Sequence, residues 1–249
     1  YRTVIIMPDS VSRERRLLVR HYGAEVRLVH DAGNIGDCIA ECVRTAQQMA
    51  AADPRVFIPQ QFENTANPQV HRHRTALEIM EQVGGPIHGF CSGVGTGRTI
   101  TGIGEVLKAQ NPEIVIWAVE PENAAILAGG TVGTHLQMGI GDGLIPKILN
   151  MGIYEDVCII SDEEAIRTAQ ELARLEGLMC GISSGTNVAA FVWPESLAKG
   201  KRWLRFFRTL PSGILPPRCL RKTDIFFIKT QKTAATAPCS AGAAVFIKG

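Results

Sequence analysis

The chain has 249 residues, 45% of them hydrophobic and 20% charged. That is enough for a substantial core in one or two domains, and the balance is that of a globular protein, not a disordered or fibrous one. The net charge of +2 hides an asymmetry: residues 191–249 carry 11 Lys/Arg against Glu195 and Asp224, whereas residues 1–190 carry 15 basic and 22 acidic side chains.

Taken in chain order, short apolar runs alternate with helical patterns. Strands are predicted at Thr3–Met7, Glu25–Val29, Val56–Ile58, Ile87–Phe90, Ile114–Val119 and Val157–Ile160. They are rich in Val and Ile, as strands covered on both faces should be. Helices are predicted at Ser10–Tyr22, Ile35–Ala51, Val70–Val83 and Ile100–Gln110. A capping box, Ser161-Asp162-Glu163-Glu164, opens another helix that ends near Gly177. The alternation predicts an α/β fold with parallel, doubly wound sheets. After Ala190 the periodicity stops: Trp193-Pro194, Pro211 and Pro216-Pro217 interrupt any helix. Residues 191–249 are therefore expected to be disordered or loosely attached, and not a domain. Tyr1–Met7 already reads as strand, so the N-terminus is expected to be a cut. No apolar run reaches membrane-spanning length and no signal peptide is visible, so no membrane association and a cytoplasmic location are expected.

Cys91-Ser92-Gly93-Val94-Gly95-Thr96-Gly97-Arg98-Thr99 lies between a strand and a helix. Glycines let the backbone approach an anion, and the N–H groups of the first helical turn point at it. The run therefore predicts a phosphate cradle. Three segments accompany it: Gln60-Gln61-Phe62-Glu63-Asn64-Thr65-Ala66-Asn67-Pro68, Gly139-Ile140-Gly141-Asp142-Gly143 and Gly181-Ile182-Ser183-Ser184-Gly185. Each alone is a weak signal.

Together, in this order, they resemble the cysteine synthase (O-acetylserine sulfhydrylase) family of fold-type-II pyridoxal-phosphate enzymes. The strings are M-P-D-S-x-S-x-E-R-R, Q-Q-F-x-N-x-A-N-P, G-T-G-x-T-I-T-G, A-V-E-P, G-I-G-x-G-x-I-P and G-I-S-S-G-x-x-V-A-A, spread over residues 1–190. The resemblance implies a tryptophan-synthase-β-like architecture, incomplete here. Residues 1–60 would be the remainder of a small domain and 61–190 an incomplete large cofactor-binding domain. It implies pyridoxal 5'-phosphate as cofactor, held at Gly95, Thr96, Gly97, Arg98 and Thr99. Gln61 would hold the substrate carboxylate, and Gly139, Ile140 and Gly141 would border the active-site mouth. The reaction implied is β-replacement, O-acetylserine and sulfide giving cysteine and acetate, in a homodimer.

Three departures qualify that expectation. The family has glycine where this chain has Arg98. If position 98 needs φ > 0, arginine strains the loop and weakens phosphate binding; alternatively its cation assists the anion. The Schiff-base lysine of the family is absent: no lysine precedes Lys108, so no catalytic residue is assigned and this chain itself is expected to be inactive. Finally, back-translation of residues 190–220 with a one-base shift allows a reading containing L-P-D-F-A-E-R-Y-L, the family continuation. Trp203–Leu220 is thus expected to be that continuation translated out of frame, which also accounts for the basic tail without nucleic-acid binding.

Two other readings stand beside this one. The chain could be a non-enzymatic fragment or pseudogene product. Gly93-x-Gly95 after a strand, with Glu120 ending the next, also mimics a dinucleotide site, although the third glycine position is Arg98. No metal site is expected: the His71-Arg72-His73-Arg74 run reads as solvated helix surface, and the seven cysteines, with no C-x-x-C pair, read as reduced buried thiols.

Overall fold

The computed structural model describes residues 1–192, 203–205, 225–227 and 243–247. Val4, Ile6 and Met7 have no exposed surface, so the first apolar run is a covered strand, β1 (Arg2–Pro8). It pairs in parallel with β2 (Glu25–Val29). The connection is α1 (Arg13–His21), begun by Ser12, whose hydroxyl accepts the Arg15 N–H. Asn34 caps α2 (Ile35–Ala52) by accepting from Gly36 and Asp37, and β3 (Val56–Phe57) follows.

After β3 come α3 (Ala66–Val70), one π turn at His71–Thr75 and α4 (Ala76–Val83), where the sequence predicts one helix over Val70–Val83. The π turn re-aims this stretch. His71, expected on a solvated surface, is buried and bonds Thr75 Oγ1 at 3.0 Å. The cause is close packing: Gly102, on the next helix, has no room for a Cβ against the Pro68 carbonyl and His71 Cβ.

The second sheet has β4 (Gly89–Gly93) at its centre and β5 (Val115–Pro121) and β6 (Asp156–Ile160) on one side, all parallel. Alternate residues face opposite ways. Phe90, Ile116 and Ala118 join Ile100 and Ile103 of α5 (Arg98–Gln110) and Ile79 of α4. Cys91, Trp117 and Val119 join Ala189 and Ala190 of α7 (Ile182–Val192) on the other face. Burying each such large apolar side chain is worth about 1.5–3 kcal/mol before entropy is counted. The helix α6 (Asp162–Glu176) begins as its capping box predicts, with Ser161 Oγ accepting from Glu164, and ends at Gly177 with φ 68°.

The doubly wound α/β expectation holds over residues 1–190. The segment expected to lie outside the fold contributes three short strands. β7 (Trp203–Arg205) and β8 (Ile225–Phe227) extend the second sheet in parallel, in the order β6-β5-β4-β7-β8. β9 (Ala243–Ile247) lies antiparallel between β1 and β3. The expectation for the rest of 191–249 falls outside the described residues. Among the described residues no helix is long and apolar enough to cross a membrane.

The contact between α6 and α7 depends on Gly185, where a Cβ would collide with the Ala165 carbonyl and lie 2.8 Å from the Ala169 nitrogen. Gly185→Ala should lower stability by about 1–3 kcal/mol through overpacking. Gly181→Ala, with nothing within 4 Å of its Cβ, should change it by less than about 0.5 kcal/mol. Urea unfolding midpoints check the pair; equal midpoints would contradict the packing argument.

Candidate functional site

β4 runs into the turn Val94–Gly97 and then into α5. Gly97, at φ 76°, is the residue before the helix, and no side chain caps it. The helix's first backbone bond is Thr101 N–H to the Gly97 carbonyl. Among the described residues, the N–H groups of Gly95 to Ile100 are donated to no protein acceptor. Uncapped donors thus converge at the positive end of a 13-residue helix, which is the physical definition of an anion site. Thr96, buried, and Thr99, half-buried, bring hydroxyls to the same turn.

The 139–143 loop lies directly on that turn. Gly141 donates to the Val94 carbonyl at 2.8 Å. A Cβ on Gly95 would sit 2.7 Å from the Gly139 oxygen, and one on Gly93 would sit 2.9 Å from Ile140 Cγ2. His135 Nε2 donates to the Gly141 carbonyl at 3.0 Å. The expected mouth residues Gly139, Ile140 and Gly141 are therefore brought against the cradle. So is Asp142 of the same loop, to which the sequence alone gave no role of its own.

Gln61 follows Gln60, whose φ of 58° makes it the one described non-glycine residue in the left-handed region. Its backbone carbonyl accepts the Asn67 side-chain amide at 2.7 Å. Asn67 Oδ1 in turn accepts from Arg98 Nη1 at 3.2 Å. This corrects the strain argument for position 98: the positive φ belongs to Gly97, and Arg98 is simply the first helical residue. Its side chain ties the cradle helix to the Gln61 loop.

Polar side chains that the sequence reading did not single out complete the frame. Asn187 Oδ1 accepts the Gly93 N–H at 2.8 Å while its amide donates to the Ser183 carbonyl. Gln137, fully buried, donates to the Ile160 carbonyl and Asp162 Oδ1 and accepts from Thr186 Oγ1. Glu120 is also engaged. Its buried carboxylate accepts from the N–H groups of Leu127 and Ala128, so it is not presented to a ribose, as the dinucleotide reading would need.

Burial pushes the Asp142 carboxyl up to about 6, with Arg15 pulling the other way. Burial, helped by the Arg98 guanidinium, holds His71 down at about 4. Burial raises Cys42 and Cys158 to about 12, so these thiols are inert. The described lysines stand away from the cradle. Lys108 pairs with Glu155, and Lys147, three-quarters exposed, pairs with Glu63.

A family model described as pyridoxal-phosphate dependent enzyme matches residues 1–205. The chain belongs to that family. The match runs 15 residues beyond Ala190, where the motif resemblance ends, and takes in β7. The chain is 42% identical over 188 residues to a probable cysteine synthase of Bacillus subtilis, covering 74% of this chain and 59% of that protein. It is 39% identical over 203 residues to a cysteine synthase of Staphylococcus aureus, covering 81% and 64%. The crystal structure of the Entamoeba histolytica cysteine synthase superposes with a TM-score of 0.72 at 31% identity, over 84% of this chain and 61% of that one. The fold is thus the fold-type-II pyridoxal-phosphate architecture, and the chain spans about three-fifths of the length of these relatives.

Two outcomes are expected of these contacts. Arg98→Gly should leave the Gly97 turn intact and release Asn67. Amides of Gln61–Asn67 should then exchange roughly fivefold faster, about 1 kcal/mol for one lost hydrogen bond. Unchanged exchange would show that the bond holds nothing. For His71, the unfolded chain binds a proton near pH 6.5 and the folded chain only near 4. Its contribution is complete above pH 6.5 and is lost as pH falls towards 4, by roughly 2–3 kcal/mol. Asp142, raised in the fold, acts in the opposite sense between about 6 and its ordinary 3.8. Stability of His71→Gln should therefore fall less steeply than that of wild type between pH 6.5 and 4, measured by unfolding at each pH.

Proposed function

We propose that the Gly95–Thr99 turn binds the phosphate of pyridoxal phosphate, and that the protein belongs to an enzyme making cysteine by β-replacement from O-acetylserine and sulfide. The observation that carries the reading is the set of uncapped N–H groups from Gly95 to Ile100, in a chain of this family. A phosphate monoester dianion suits these donors, so the residues present fit that part of the cofactor. Gly95, Thr96, Gly97 and Thr99 would hold it through backbone and hydroxyl donors. When bound, the ring supplies an electron sink for carbanion chemistry. Arg98 steadies the Gln61 loop through Asn67, leaving Gln61 to orient a substrate carboxylate. The loop Gly139–Gly141 closes over the turn and excludes water. A homodimer, a cytoplasmic site of action and a division into residues 1–60 and 61–190 follow the same family reading.

No described lysine reaches the cradle, so among the described residues the covalent part of the family chemistry has no residue. Binding and turnover should therefore separate. Pyridoxal phosphate should protect the Gly95–Thr101 amides from hydrogen exchange, inorganic phosphate should compete, and NADH should not. The 249-residue chain should form no cysteine from O-acetylserine and sulfide, and borohydride should fix no cofactor on a lysine. Protection by NADH alone would replace this reading with the dinucleotide one. Stoichiometric labelling of one lysine, or cysteine formation, would refute the claim that the chain lacks the covalent function.

A further inference from the structure

The carboxyl of Asp142 stands where an anion site should exclude one. Its Oδ2 lies 3.3 Å from the Cβ position of Gly95, the first donor residue of the cradle. The residue is 7% exposed. Among the described residues its carboxyl is engaged by no hydrogen bond; burial and the distant pull of Arg15 are the influences on it. A buried polar group without a partner costs free energy unless something else engages it. A dianion in the cradle would add a like charge within a few ångströms, and two negative groups at that range do not both stay ionised.

We propose that Asp142 is the proton-carrying residue of this site: a dianion in the cradle fixes it as a neutral carboxylic acid, whose O–H is donated to a small molecule bound beside the cradle. The proposal rests on the phosphate reading above. The transfer is simple. The Asp142 O–H bond breaks, the bonding pair stays on the carboxyl oxygen, and the proton forms a new bond to a lone pair of the bound molecule. The carboxylate that remains is favoured by the charge of Arg15, a cation on α1 beside the first sheet. Asp142 then suits substrates whose leaving or entering group needs a proton.

The charged and titratable groups on the elements meeting this loop are few. They are Arg15 on α1, Asp37 in the first turn of α2 beside Gly36, Arg98 on α5 and His135 before the loop. Arg98 is turned to Asn67, and His135 is spent on the Gly141 carbonyl. Arg15 alone acts on Asp142 from a distance. Burial already raises the group towards 6.

The test uses sulfate, which stays a dianion from pH 5 to 8, titrated into the full chain and into Asp142→Asn. Each pH unit by which bound sulfate raises the Asp142 pKa costs about tenfold in affinity as the pH rises through the titration. Wild-type affinity should fall by about tenfold or more over this range. Asp142→Asn should bind tightly with a flat profile. Arg15→Gln should move the wild-type midpoint to higher pH, since the cation that favours the carboxylate is gone. Infrared difference spectra should show a protonated carboxylic-acid band on sulfate loading at neutral pH, missing in Asp142→Asn. Circular dichroism establishes that each variant folds; should Asp142→Asn fail to fold, the band and the Arg15→Gln shift decide. Sulfate binding with the same pH profile in wild type and Asp142→Asn, and no band on loading, overturns the proposal while leaving the cradle intact. No sulfate binding in any form overturns the cradle itself.

Discussion

Close backbone approach at Gly95 is the constraint on which the rest of the site depends. A Cβ there would stand 2.7 Å from the Gly139 carbonyl oxygen, so turn and loop approach backbone to backbone at this point. The same device continues outwards. Gly141, at φ 65°, leaves no room for a side chain against Pro121 at the end of β5. Gly143, at φ 72°, lies against Gly36 at the start of α2. A line of close glycine contacts therefore runs from the cradle of the second sheet to α2 beside the first. A methyl group at any of these points would wedge the loop from the cradle and uncover the N–H groups it shelters.

What the sequence revealed about the site follows this division. Glycines carry their meaning in one letter, so the Gly93–Thr99 and Gly139–Gly143 runs were legible as close-approach segments. Long-range polar partners were not. Nothing in the spacing of Asn187 and Gly93, or of Gln137 and Thr186, marks them as bonded; only the packing of α7 across β4 and β6 brings them together. Arg98 shows the same limit more sharply. Its position suggested strain or a phosphate contact; nothing in the sequence pointed to Asn67, which its side chain bonds because α3 lies beside α5.

The fold was legible for a different reason. Alternating Val and Ile runs separated by helical patterns leave few arrangements other than a parallel sheet covered on both faces. The six strands of residues 1–190 fall where their apolar runs lie, with ends shifted by at most three residues because hydrogen bonding, not hydrophobicity, sets a strand's limits. The failure at Val70–Val83 was one of kind. A helical period cannot distinguish an α-helix from one interrupted by a π turn, and that turn moves His71 from solvent into contact with Gly102. The pairing of β9 between β1 and β3 was equally invisible. A five-residue apolar run in a stretch without periodicity has no local sign of its partner.

Binding a phosphate and carrying out chemistry on the molecule attached to it are separable tasks in this chain. The first needs only backbone donors and the space glycine leaves, and both are present among the described residues. The second needs a nucleophilic amine at short range, and the described lysines are engaged elsewhere. Lys147 holds Glu63 near the surface, an arrangement worth about 0–1 kcal/mol, so it is not electrostatics that keeps it from the cradle but position in the fold. Proton transfer falls between the two tasks. It requires no covalent bond to the cofactor, only a buried group whose charge answers to what occupies the anion site. Asp142 is placed for that role by the same glycine contacts that shape the cradle. Its state is therefore coupled to occupancy through the loop itself.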